Sequence, residues 1–322
     1  MTTQQKHWAD INEKTSVRGI RFLFRLYELC GRLVFWLILA PVTFFYWAMD
    51  ARCRNSSLKY LQLAHRAGFL KSKPGLASSY VHFFTFSDTI LDKFIALWGT
   101  HSLPILEIEN EEVLTNYINQ RQPCVVLCSH CGCTEALMRY ANFNVTSPVI
   151  ALIHSGQSRQ FRQMLAQSPA LKNVRFMEVT ELTPVTVGAL EEDVKQGALI
   201  FIAGDRVPID TQSKAFCELE FLGQKAFVPI GSVLIANLFH LPLISMTSWR
   251  TQSANLFHPN RPNRYHVRFE KLSDGVQLSR PMRKVQSADI MQKYVREIEH
   301  GLSVSPMDWF NFFDFWIPPE KE

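Results

Sequence analysis

Pro123-Cys-Val-Val-Leu-Cys-Ser-His-Cys-Gly-Cys-Thr-Glu135 decides how the chain is read. Its first half, Cys124 to Cys128, is a short uninterrupted apolar run with two adjacent β-branched valines, the pattern of a strand buried on both faces. The second half is polar and carries Gly132, and a helical stretch follows near residues 133–142. Strand, turn and helix in that order form the opening of a parallel α/β unit.

Working outward, the same grammar repeats. Ile105–Ile108, Val149–Ile153, Val174–Val179, Ala198–Ala203 and Leu243–Thr247 read as buried strands. Helical stretches are expected near residues 111–119, 156–167, 184–196 and 230–240. Tyr265–Leu272 alternates with charge and reads as a more exposed strand, and Ser287–Leu302 as a late helix. The fold class is therefore α/β: a mostly parallel central sheet flanked by helices, with an N-terminal hydrophobic helical segment. The expected division is a basic, hydrophobic helical region over residues 1–100 and an α/β domain over 101–322.

Composition sets the outer bounds. The 322 residues include 34 Lys+Arg and 29 Asp+Glu, for a formal charge of +5, with 47% hydrophobic residues, 24 Phe and 14 Gly. That apolar content excludes a disordered or collagen-like chain. A mean hydropathy of -0.03 excludes a polytopic membrane protein. The charge is uneven: residues 1–100 carry +7, residues 101–200 carry -3 and residues 201–322 carry +1. The basic third also holds ten Phe residues. Basic and aromatic together point to a membrane surface and not to a nucleic acid, a solvated helix face being the plainer alternative.

Within that third, Arg18, Arg21, Arg25 and Arg32 recur at helical spacing and are expected on one broad face. The uncharged run Leu33–Met49 follows. Its 17 residues reach roughly 25 Å as a helix, short of roughly 30 Å of hydrocarbon. Pro41 is expected to kink it. In-plane or hairpin-like insertion, a true span and a buried soluble helix all remain open. Ser78–Trp98 reads as an amphipathic helix ended by Gly99. No secretory signal peptide is apparent, and the seven cysteines lack the spacing of a disulfide framework, which favours a reducing compartment.

Functional groups in open α/β sheets gather at the carboxyl ends of strands, which singles out His130, with Glu135 five residues on. A turn there could return the carboxylate to the imidazole, fix its tautomer and leave the other nitrogen to take a proton. A capped helix start with an ordinary loop histidine is the plainer alternative. Arg159 and Arg162 after the next strand could hold a phosphate or form a solvated face. Arg206, beside Asp205 at a strand end, could bind substrate or form a structural ion pair. Cys131 or Cys133 could serve as a nucleophile. A metal site among Cys124, Cys128, His130, Cys131 and Cys133 is disfavoured because two of them lie inside an apolar strand. The aromatic stretch Asp308–Trp316 reads chiefly as core.

The ordered set resembles a known superfamily. His130-x4-Glu135 after an apolar strand is similar to the HX4D/E motif of the glycerolipid and lysophospholipid acyltransferases. Ile202-Ala-Gly-Asp205-Arg206 occupies the place of that family's later strand-end motif. Glu220 to Gly231, the apolar helix after it and Leu241-Pro-Leu-Ile resemble the bacterial lipid A late-acyltransferase branch. Cys131-Gly-Cys-Thr134 and Gly204-Asp-Arg depart from the usual wording.

The resemblance implies an acyltransferase of the cytoplasmic face of a bacterial inner membrane. It would move a fatty acyl group from acyl-carrier protein or coenzyme A to a hydroxyl of a lipid or glycolipid, without metal or bound cofactor. It implies His130 as general base, Glu135 as its orienting carboxylate and the backbone at Gly132 or the next helix start as oxyanion donor. Arg159, Arg162, Asp205 and Arg206 are its candidate substrate-binding residues. A Cys-dependent acyl hydrolase and a non-catalytic membrane scaffold are the alternatives.

Overall fold

A computed structural model describes residues 17–99, 101–142, 147–153, 167–179, 183–206 and 215–317. Three helices come first: α1 (Val17–Met49), α2 (Ala51–Arg66) and α3 (Leu76–Trp98). Strand β1 (Ile105–Glu109), helix α4 (Glu111–Gln120), strand β2 (Cys124–Cys128) and helix α5 (Thr134–Asn142) follow. Then come β3 (Val149–Ile153), β4 (Val174–Glu178), α6 (Pro184–Lys195) and β5 (Leu199–Ala203). The remainder is the hairpin β6 (Phe216–Phe221) and β7 (Gln224–Pro229), then α7 (Gly231–Leu238), β8 (Leu243–Gln252), β9 (Arg264–Ser273) and α8 (Arg283–Val304).

Among the described residues the main sheet runs β1-β9-β8-β2-β5-β3-β4. Every pairing in it is parallel except β8 with β9. Both faces are covered, as the continuous apolar runs require. Val125, Leu127, Ile200 and Ile202 point into one core with Val233 of α7 and Tyr294 and Ile298 of α8. Their strand neighbours Cys124, Val126, Leu199 and Phe201 point into the other, with Leu114 of α4 and Leu137 of α5. Each such side chain, fully withdrawn from water, contributes about 1.5–3 kcal/mol before entropy is counted.

Three sequence expectations are revised here. The hairpin β6–β7 was not expected as strands. It turns through Leu222 and Gly223, at φ 52° and 70°, and its charged residues Glu218, Glu220 and Lys225 face outward while Leu219, Phe221, Ala226 and Val228 enter the core. The backbone break in α1 lies at Gly31 (φ 78°, ψ 177°), with Pro41 inside the helix beyond it. That break also separates the arginines: Arg25 is exposed, but Arg32 is buried at 3%. The expected helix near 156–167 lies almost wholly outside the described residues.

Arg32 is buried because it is neutralised. It pairs with Asp92 and lies 3.6 Å from Asp88, both on α3. Arg250 of β8 approaches Asp88 at 3.2 Å and donates to Thr89. Asn263 Nδ2 donates to Asp92 at 2.6 Å, the Tyr265 hydroxyl donates to the same oxygen, and the Trp36 indole donates to Asp88 at 2.8 Å. This network fastens α1 and α3 to the β8–β9 end of the sheet. The stretch Phe22–Met49 is long and apolar enough to cross a membrane, with 22% of its most apolar window buried. Leu33, Leu37, Phe44, Phe45 and Met49 on it are exposed, as are Leu76 and Val81 of α3.

Breaking a buried charge network strands the remaining partners. Asp92→Ala is expected to destabilise the protein by about 3–5 kcal/mol, measured as a lower urea midpoint with unchanged slope in detergent.

Candidate active site

His130 and Asp205 meet because two strands end level with one another. Strands β2 and β5 are parallel neighbours with Cys128 opposite Ala203, and each of the two residues lies two positions beyond that pair. The Gly204 N–H donates to the Cys128 carbonyl at 2.9 Å, extending the ladder past the strand ends. His130 Nδ1 and Asp205 Oδ1 are 2.6 Å apart. The His130 backbone N–H donates to Asp205 Oδ2 at 2.7 Å, and the Trp309 indole donates to the same oxygen at 3.1 Å.

Asp205 is only 1% exposed. Burial alone would raise its pKa, but the His130 hydrogen bonds and the charges of His130 and Arg206 outweigh it and hold the carboxyl at about 2. Asp205 is therefore ionised, and Nδ1 is the protonated nitrogen that donates to it. Burial, and then the Arg206 charge, lower the His130 pKa below the usual histidine value against the opposing pull of Asp205. The ring is neutral at pH 7 with its lone pair on Nε2, and the side chain stays 32% exposed.

Several sequence-stated roles change accordingly. Glu135 sits in the first turn of α5, and its Oε1 accepts from Lys93 Nζ of α3 at 2.9 Å. The carboxylate on the imidazole is that of Asp205. Asp205 was expected to face substrate, but its oxygens are taken up by His130 and Trp309. Gly132 was expected as an oxyanion donor, but its N–H donates to the Asp308 carbonyl at 3.0 Å. Its φ is +56°, and a Cβ there would come within 2.8 Å of the Ser248 carbonyl oxygen, so glycine is needed for backbone approach. Arg206 lies beside the pair and its Nη2 donates to the Phe310 carbonyl at 3.1 Å. Arg159 and Arg162 lie outside the described residues.

The C-terminal aromatic segment packs into the core as expected, with Trp309 and Phe315 buried there, but its reach into the site was not foreseen. Cys131 forms an antiparallel bridge with Trp309, and the Phe310 N–H donates to the His130 carbonyl at 2.9 Å. Trp309 is itself held by His82, whose Nε2 lies 2.9 Å from the Trp309 carbonyl while Nδ1 faces the Ser57 hydroxyl at 2.9 Å. Burial drives the His82 pKa down to about 4, so this histidine is a neutral structural link. The density of aromatics at Trp309–Trp316 was visible in the sequence; nothing there showed that an indole would reach the acid beside His130.

The cysteines divide among apolar environments. Cys124 and Cys128 enter one core, Cys131 another and Cys133 a third. Burial raises the Cys131 and Cys133 thiols well above their ordinary value, which keeps them protonated and poorly nucleophilic. Among the described residues no group of three His, Cys, Asp or Glu is placed to hold a metal.

The site is thus a neutral histidine held by a buried carboxylate at the carboxyl end of a parallel sheet, flanked by Lys93 and Arg206. Residues 84–316 match the family described as bacterial lipid A biosynthesis acyltransferase. Comparison with curated proteins gives no match. Among solved structures the chain is similar to the 1-acyl-sn-glycerophosphate (LPA) acyltransferase PlsC from Thermotoga maritima, at 14% identity and a TM-score of 0.35, over 83% of this chain and 98% of that one. The family match spans well over half of the sequence and includes His130, Asp205 and Trp309, and the chain belongs to the bacterial lipid A biosynthesis acyltransferase family.

Proposed function

We propose that the protein transfers a fatty acyl group from an acyl thioester, on acyl-carrier protein or coenzyme A, to a hydroxyl of a lipid or glycolipid of the lipid A type. The observation that carries this reading is the 2.6 Å contact between His130 Nδ1 and a buried, ionised Asp205. It leaves Nε2 as a base of the strength that general-base catalysis near neutral pH needs.

In this reading the acceptor hydroxyl gives its proton to His130 Nε2 as its oxygen attacks the thioester carbonyl. Asp205 stabilises the imidazolium that forms. The tetrahedral intermediate collapses by expelling the thiolate, which takes the proton back from Nε2. The thioester is already activated, so no acyl-enzyme is required. With the Gly132 N–H engaged, the first turn of α5 is the remaining candidate for the oxyanion. Arg206 is assigned to an anionic part of the substrate.

The exposed apolar face of α1 supports a membrane-bound acceptor. Leu37, Phe44, Phe45 and Met49 would enter the lipid while Arg32 fixes the helix to the enzyme. A bacterial inner membrane, cytoplasmic side, is the location proposed, since acyl-carrier protein and coenzyme A are cytoplasmic carriers.

His130→Ala is expected to lower kcat/KM about 10²–10⁴-fold while circular dichroism and liposome binding are kept; unchanged turnover would overturn the assignment. Because the neutral ring is the active form, kcat/KM should rise with pH through a midpoint below about 6.5 and then level off. Asp205→Asn should abolish most turnover by removing the charge that stabilises the imidazolium. Cys131→Ala with Cys133→Ala should keep transferase turnover in a folded protein. A folded but inactive double variant favours the cysteine-hydrolase alternative, and a wild type that consumes no acyl thioester with any lipid acceptor favours a scaffold.

A further inference from the structure

The connection between β8 and β9 is closed at its base and braced at its tip. The Ala254 N–H donates to Asn263 Oδ1 at 2.6 Å, and Asn263 is itself bonded to Asp92 in the buried charge network. At the tip, the His258 N–H donates to the Asn255 carbonyl at 3.0 Å. The Asn255 side-chain oxygen also accepts from the backbone N–H groups of Phe257 and His258, each at 3.0 Å. Asn255–His258 is therefore a tight turn with Leu256 and Phe257 at its two corners. Gly, Pro, Asn, Asp and Ser are the usual residues of such turns. Here the leucine is 74% exposed and the phenylalanine 91%, the highest value for a large apolar side chain among the described residues.

One exposed apolar side chain standing alone is ordinary, as Val185 on α6 illustrates. Two at the corners of a braced turn are different, because they cannot fold inward without giving up the Asn255 bonds. The same connection also touches α1. Asn260 Oδ1 accepts from the Arg32 N–H at 3.3 Å. Glycine at position 31 permits that approach, since a Cβ there would lie 2.9 Å from the same oxygen. Three residues of chain reach about 11 Å at most, so the Phe257 Cα lies within that distance of the Asn260 Cα, at the place where α1 breaks. Leu29 and Leu33, on either side of the break, are exposed as well. Residues 251–263 include the exposed Arg261 and no acidic residue, so no carboxylate there repels an anionic surface.

We propose that the Leu256–Phe257 tip is a second point of insertion into a lipid bilayer, carried by the sheet and not by α1. This rests on the membrane-bound reading of α1 and adds to it a contact made by the α/β domain itself. The occupant is lipid and not another protein. The tip offers two apolar side chains, far less than a stable protein interface buries. It lies beside the exposed leucines of α1, and an apolar pair with an arginine next to it matches acyl chains beneath anionic headgroups.

Photocrosslinking of the full-length protein on vesicles of phosphatidylethanolamine and phosphatidylglycerol reads the contact directly. With the photoreactive residue p-benzoylphenylalanine in place of Phe257, irradiation should give lipid adducts by mass spectrometry. The same probe in place of Val185 should give none. A tip that yields no lipid adduct, or that joins to another protein chain instead, overturns the proposal. The probe in place of Phe44 tests α1 separately. Adducts from that position without adducts from the tip leave the α1 reading standing and sink the proposal; adducts from the tip alone keep the second contact and remove α1 from lipid. Adducts from neither overturn both. Leu256→Ser with Phe257→Ser should lower partition onto the same vesicles about tenfold or more, with circular dichroism unchanged and Val185→Ser partitioning as the wild type does. A double variant that partitions like the wild type, or an equal loss in Val185→Ser, also overturns the proposal.

Discussion

An ionised carboxylate with almost no access to water survives only where donors surround it, and Asp205 is the place where this chain meets that demand. Its donors come from two distant parts of the sequence, the backbone and ring of His130 after β2 and the indole of Trp309, and the adjacent Arg206 adds its charge. Satisfying Asp205 therefore fixes the imidazole tautomer, the level of two neighbouring strands and the course of the C-terminal segment together. The chemistry proposed for His130 follows from the same constraint, because the acid that orients the ring is the one that must be paired in any case.

A second set of buried charges does for the N-terminal helices what Asp205 does for the site. Arg32, Arg250, Asp88 and Asp92 neutralise one another across α1, α3 and β8. An arginine in so apolar a helix is costly to bury alone, which makes the docking specific as well as tight. The helix that would enter lipid is tied by charge to the sheet that would perform the reaction, with its apolar residues turned outward.

The sequence made the parallel sheet legible because Cys124–Cys128 and Leu199–Ala203 are apolar throughout and alternate with amphipathic stretches. It marked His130 and Asp205 as strand-end residues. It could not show that they meet, since the spatial order of strands is set by packing and not by their order in the chain; β2 lies beside β5 and β8, not β1 or β3. Spacing favoured Glu135 because local partners are the ones spacing can see. The hairpin β6–β7 escaped notice because its outward charges break the apolar run, and Arg32 was placed with the other arginines because nothing local announces the break at Gly31.

The clamp of Trp309 and Phe310 on the loop after β2 bears on how the protein is made. Synthesis runs from the N-terminus, so the apolar stretch Phe22–Met49 leaves the ribosome ahead of every strand of the sheet. The indole that completes the Asp205 shell, and the amide that pairs with the His130 carbonyl, leave it after the whole sheet has emerged. The apolar stretch is thus made well before the surroundings of the histidine can be completed, and the site proposed for catalysis is assembled only after Trp309 and Phe310 have been added.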